Sequence, residues 1–123
     1  MKDCIFCEHA WRKLCSPKKF EALAKEFLEQ EEKLLNWKAG EYANNVDRLK
    51  NFRQVAEWLG QRPAEVALCY LMKHMQSISL AVRAGKRNWV WQTDEGEGLK
   101  QRIADARNYL LLLAACLDEE SRQ

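Results

Sequence analysis

Glu97, Gln101, Asp105 and Asn108 fall at steps of four, four and three, so on a helix they form one polar row running beside an apolar face. That face is Leu99, Ile103, Ala106, Leu110, Leu113 and Leu117, widened by Leu111, Leu112 and Cys116 until little of the second half is expected to meet water. A carboxylate and an amide near a core need partners. They either cap or bridge neighbouring helices, or they face a ligand or metal.

A second row stands at Tyr70, Lys73, His74 and Ser77, which share a flank of another helical segment. Lys73 sits among Leu71, Met72 and Met75, and either runs its stem along the core with its charge in solvent or meets an anion. His74 is a structural histidine or a titrating one. Trp89 and Trp91, with Arg87, have the chemistry to stack on a planar base or to mark a protein interface. Glu29, Glu31 and Glu32 offer carboxylates one turn apart, but interleaved with Lys they read as a solvated face. Cys4-x-x-Cys7 with His9 and Cys15 holds enough ligands for one zinc; a single straight helix cannot wrap four ligands round an ion, which favours small core thiols.

Several routine chemistries are poorly supported by the sequence. There is no Gly-rich phosphate loop, no Gly-x-Ser-x-Gly elbow and no His-Glu-x-x-His. Cys69 and His74 lie five residues apart, which on one helix points them about 140° apart and spoils a nucleophile pair. What remains is polar rows facing into a helical bundle, where such folds build ligand sites.

The elements that position these rows are helical. Ser16-Pro17 starts a helix whose stripe of Phe20, Leu23, Ala24, Phe27, Leu28, Leu34, Leu35 and Trp37 predicts a run to Lys38 and a stop near Gly40. Glu41 to Asp47 reads as irregular, with Asp47 the expected N-cap of a helix over Arg48 to Leu59 that Gly60 ends. Pro63 opens the next helix through Ala84, with Val66, Ala67, Tyr70, Leu71, Met75, Ile78 and Val82 as its expected buried side and Gly85 as its stop. Residues 86–96 read as a loop or short turn.

The 123 residues, 47% hydrophobic and 31% charged, describe one globular domain: an N-terminal extension over 1–16 and a helical core over 17–117. Two prolines, five glycines and few β-branched residues favour an all-α bundle of four to five helices. A net charge of +2, with acids and bases interleaved, argues against nucleic acid as a partner. No apolar run is long enough for a membrane span, and an N-terminus without an apolar core lacks the mark of a signal peptide, so a cytoplasmic protein with reduced thiols is expected. So much apolar helix in so short a chain predicts a homo-oligomer that completes the bundle.

Three stretches carry a resemblance. Lys38-Ala-Gly-Glu-Tyr-Ala-Asn-Asn-Val-Asp-Arg-Leu-Lys-Asn-Phe52, Tyr70-Leu-Met-Lys-His-Met-Gln-Ser-Ile78, and Glu97 through Asp105-Ala-Arg-Asn-Tyr-Leu110 together resemble small phage-encoded proteins of the MazG-like, all-α nucleotide pyrophosphohydrolase type, over roughly residues 30 to 117. The resemblance implies a cytoplasmic protein of an infected bacterium that cleaves nucleoside triphosphates with magnesium held by carboxylates. It implies Glu41, Glu97 and Asp105 as metal ligands, Glu97 and Asp105 in catalysis, and Tyr42 and Asn108 beside the nucleotide; read from their own chemistry, Lys73 and His74 are the residues expected on the phosphates, Lys73 also in catalysis, and Trp89 and Trp91 those expected on the base. The chain departs from the pattern where Lys73 replaces an acid and where Lys100, Gln101 and Arg102 replace an acidic patch. Those departures open the alternative of a catalytically inactive module that binds a nucleotide or a host protein.

Overall fold

The structure is a computed structural model that describes residues 14–42, 47–85 and 88–123, and of positions 35 and 37–42 the backbone alone. Cys4, Cys7, His9 and Arg87, and the side chains of Glu41 and Tyr42, lie outside the described residues. The fold is all-α: helices α1 (Pro17–Tyr42), α2 (Lys50–Leu59), α3 (Pro63–Arg83) and α4 (Leu99–Ser121), with strands β1 (Gln92–Thr93) and β2 (Gly96–Glu97) between the last two helices. The chain divides into two compact units, 1–30 and 31–123, and α1 runs across that division. Among the described residues no helix is long and apolar enough to cross a membrane.

In the first unit Ser16 begins α1 as expected: its Oγ accepts the Lys19 N–H at 3.2 Å, and Pro17 stands at the first helical position. The expected apolar stripe divides there. Phe27 is buried, whereas Phe20 and Leu28 are exposed, and Cys15 is an exposed thiol. The helix also passes the expected stop at Gly40 and continues to Tyr42. Glycine weakens a helix interior without forbidding it.

The second unit is organised on the pairing of α3 with α4, and α2 packs on α3. Leu49, Phe52 and Ala56 from α2 and its approach, Ala64, Val66 and Ala67 from α3, and Cys116 from α4 form one buried cluster, with Tyr109, Leu112 and Leu113 against its edge. Small residues on α3 let the helices approach closely. Gly60 adopts φ +65°, and past it the Gln61 N–H donates to Ala56 O at 2.9 Å, closing α2 with a left-handed residue. Pro63 opens α3, where Glu65 Oε1 accepts the backbone N–H of Arg62 at 2.9 Å.

Asp47 is not the N-cap of α2. The helix begins two residues later than expected, with Leu49 at the cap and no side chain bonded to it. Asp47 Oδ1 instead accepts the Leu49 N–H at 3.0 Å, a local turn, and its carboxylate takes the guanidinium of Arg53. Arg53 also meets Glu119, and Arg62 meets Glu120 at 3.1 Å. Two arginines thereby tie the starts of α2 and α3 to the last turns of α4.

The expected apolar faces are narrower than their sequence. On α4, Leu110, Leu111 and Leu117 are about half exposed, because the helix is covered on one side only. On α3, Val66, Ala67 and Leu71 are buried while Tyr70, Met75 and Val82 are exposed, as is Leu59 at the end of α2. The stretch expected as a loop or short turn contains a tight hairpin. Gln92 pairs with Glu97 and Thr93 with Gly96 in an antiparallel hairpin, whose turn is held by Thr93 Oγ1 donating to Gly96 O at 2.9 Å and accepting the Glu95 N–H at 3.2 Å.

Candidate functional site

Residues 88–91 and Gly98 set the beginning of α4. The Leu99 N–H donates to Asn88 O at 2.8 Å and the Lys100 N–H to Val90 O at 3.3 Å, so a neighbouring stretch of chain satisfies amides that a helix start leaves unpaired. Gly98 lies in ordinary extended backbone (φ −80°, ψ 174°), yet a Cβ on it would stand 1.9 Å from Val90 O. Glycine is needed there for close approach. On either side of it this arrangement delivers Glu97 from the hairpin and Arg102 from the first turn of α4.

Opposite them, α3 presents Tyr70, Lys73, His74 and Ser77 at helical spacing. Together with Glu97, Arg102 and Tyr109 they line an open cleft of about 450 Å³ between α3 and α4. Arg102 Nη1 donates to Ser77 Oγ at 3.1 Å, which orients the guanidinium. His74 stacks on Tyr109 with ring centroids 4.9 Å apart and planes 27° apart. Tyr109 in turn meets Tyr70 and Phe52 edge-on, at 5.9 and 6.4 Å. The wall is aromatic and anchored in the core. Two basic side chains, Lys73 and Arg102, line it together with the carboxylate of Glu97.

The expected site residues part company here. Lys73, His74 and Glu97 come together in the cleft. Asp105 and Asn108 do not line it: they are buried, 4% and 7% exposed, with Gln101 beside them. Gln101 Nε2 donates to Asp105 Oδ1 at 3.1 Å, and among the described residues Asn108 Oδ1 has no hydrogen-bond partner. The helical rotation explains the separation. Arg102 and Tyr109 are seven residues apart and share a face, which stands about 100° round the helix from Gln101 and Asn108.

Trp89 and Trp91 serve another purpose than lining the cleft. Lys100 Nζ lies 5.4 Å from one indole and 5.9 Å from the other, so both rings hold this lysine over the start of α4. Glu31, from the acidic run of α1, pairs with Arg107 on α4.

No protein-family model, curated protein or solved structure matches this chain. The chemistry open to it rests on the geometry of the cleft.

A hard cation such as magnesium needs several oxygen ligands. Among the described residues no three His, Cys, Asp or Glu side chains converge on a point. Of the two implied ligands whose side chains are described, Glu97 lines the cleft and Asp105 is buried beside Gln101. Nor is there an activated thiol on α4: burial, then the charge of Glu119, pushes the Cys116 thiol above its ordinary value.

Arg102 and Tyr109 are the cleft residues least legible in the sequence. Arg102 stands out there only as a base among expected acids. Its signal is the seven-residue spacing to Tyr109, which repeats the face that the Tyr70, His74 and Ser77 row presents from α3.

Proposed function

We propose that the cleft between α3 and α4 binds the phosphate chain of a nucleotide, and that the protein is a MazG-like nucleotide-binding protein of phage type. The observation that carries this reading is the pair Lys73 and Arg102 on one aromatic-walled cleft. A guanidinium fork oriented by Ser77 suits two phosphate oxygens at once, and a lysine adds a mobile point charge. Tyr70, Tyr109 and His74 supply apolar surface and ring faces beside the anion.

Binding is the core of the proposal, and magnesium-dependent release of pyrophosphate from a nucleoside triphosphate is its catalytic extension. Among the described lining residues Glu97 is the one carboxylate, beside the bases Lys73 and Arg102, which supports the inactive alternative more than the hydrolase: charge is supplied by the protein where a hydrolase would recruit metal. In that alternative the module binds nucleotide or a host protein without turnover.

Calorimetry with tripolyphosphate and a panel of nucleoside triphosphates, with and without magnesium, tests the binding. Heat from tripolyphosphate that vanishes in Lys73→Ala supports the reading; no heat from any anion refutes it. Pyrophosphate release from the same panel separates the hydrolase from the inactive form.

A further inference from the structure

The cleft has a second chamber. Arg102 and Glu97 line both the phosphate cleft and a smaller cavity of about 150 Å³, whose other walls are Asn88, Thr93, Glu95, Leu99 and Ala81. This chamber lies below the size range for a whole bound ligand and matches a single ring. Its charge is opposite to that of its neighbour. On the cleft side Arg102 works with Lys73 and His74; on the hairpin side it faces Glu95 and Glu97.

A phosphate chain is therefore attracted to one chamber and repelled from the other. What suits the second is a neutral group rich in hydrogen-bond donors, because ionised carboxylates only accept. A vicinal diol meets that need, with hydroxyls that donate to carboxylates in strong, charge-assisted bonds. The hairpin turn is fixed by Thr93, so Glu95 and Glu97 are held on a built loop.

Resting on the phosphate reading above, we infer that the Glu95–Glu97 chamber takes the ribose 2′,3′-diol of the nucleotide, and that the protein prefers ribonucleotides over 2′-deoxyribonucleotides. Arg102 is the hinge of the recognition, since it lies where the anionic and hydroxyl-bearing parts of the ligand join. Glu95 touches the diol chamber alone; Glu97 borders both.

Calorimetric titration of the full chain with tripolyphosphate, the four ribonucleoside triphosphates and their 2′-deoxy counterparts tests this. The expected result is binding of tripolyphosphate and a ribose preference of about tenfold or more, the worth of one hydrogen bond to a charged group. In Glu95→Ala, and to a lesser extent Glu95→Gln, the preference should shrink toward equality. Equal affinity for ribo and deoxy forms in the native protein overturns the inference and leaves the phosphate reading standing. An unchanged preference in both Glu95 variants overturns the assignment of the chamber. Failure of tripolyphosphate and every nucleotide to bind overturns the phosphate reading and this one with it.

Discussion

The imidazole of His74 on α3 lies stacked against the phenol ring of Tyr109 on α4, 4.9 Å between centroids. The same phenol touches Tyr70 and Phe52 edge-on, so the wall of the cleft and the edge of the core are one object. Disturbing the site from this side should also disturb the fold.

Tyr109→Ala removes three ring contacts at once. It should cost about 3 kcal/mol of stability, toward the lower part of the range for aromatic truncations because Tyr109 is only half-buried. Urea unfolding measures it. A loss below about 1 kcal/mol would mean that the stack carries little of the packing.

Lys73, exposed at the cleft, is expected to act on binding and hardly on stability, whereas Arg102, half-buried and bonded to Ser77, should act on binding and cost some stability as well. Lys73→Ala and Arg102→Ala should each weaken tripolyphosphate binding by about tenfold, and raised salt should weaken the native protein's binding further. Arg102→Lys should restore only part of the loss, because an ammonium cannot bond two phosphate oxygens in a fork. Full recovery by lysine would show that charge alone matters.

Gly98→Ala places a methyl against Val90 O, where only 1.9 Å is free. The stretch 88–91 must shift, and with it the amide bonds that start α4. A destabilisation of about 1–3 kcal/mol is expected, as for other overpacked sites. The displaced hairpin should lower nucleotide affinity as well, because it carries Glu97. A stability like the native protein's would show that the loop yields freely.

The helices are legible in the sequence because their punctuation is local. Pro17, Gly60, Pro63 and Gly85 each stop or start a helix by backbone chemistry that needs no partner. Burial is less legible, since Leu110, Leu117, Met75 and Val82 have the right spacing for a core yet stay about half exposed or more. Of the expected polar row, Gln101, Asp105 and Asn108 are buried on α4, whereas Glu97 is exposed and belongs to the hairpin. Which row faces a cleft depends on the rotation of α4 against α3, a tertiary quantity. The hairpin is hidden because two-residue strands carry no periodicity. The role of the tryptophans is hidden because Lys100, the lysine they hold, belongs to the head of another element, beyond the hairpin.

Acid should loosen the Asp47–Arg53 pair at the start of α2. Burial works to raise the Asp47 carboxyl, but the Arg53 hydrogen bond, the Leu49 amide and the charges of Arg53 and Lys50 outweigh it and hold it below its ordinary 3.8. The unfolded chain thus binds the proton more readily, so this contribution is fully present above the ordinary carboxylate range and is lost as the pH falls through the lowered folded value. With both side chains about one-third exposed, solvent screening limits it to about 1 kcal/mol or less. Urea unfolding at pH 6 and pH 3 should show a drop that Asp47→Asn reduces. An identical drop in the variant would assign acid sensitivity to other carboxylates.

The outer face of α3 bears on the expected homo-oligomer. Leu68, Met72, Met75 and Val82 are all exposed, Met72 to 61%, and their steps of four, three and seven residues are those of a helix–helix seam. Water gains nothing from leaving such a stripe open, and a second copy would present the same stripe to it in an isologous pair. Light scattering should therefore give a mass above 14.4 kDa for the native chain, and Met72→Glu, which sets two like charges across the seam, should return it to the monomer. A native monomer at high concentration would leave the stripe for another partner.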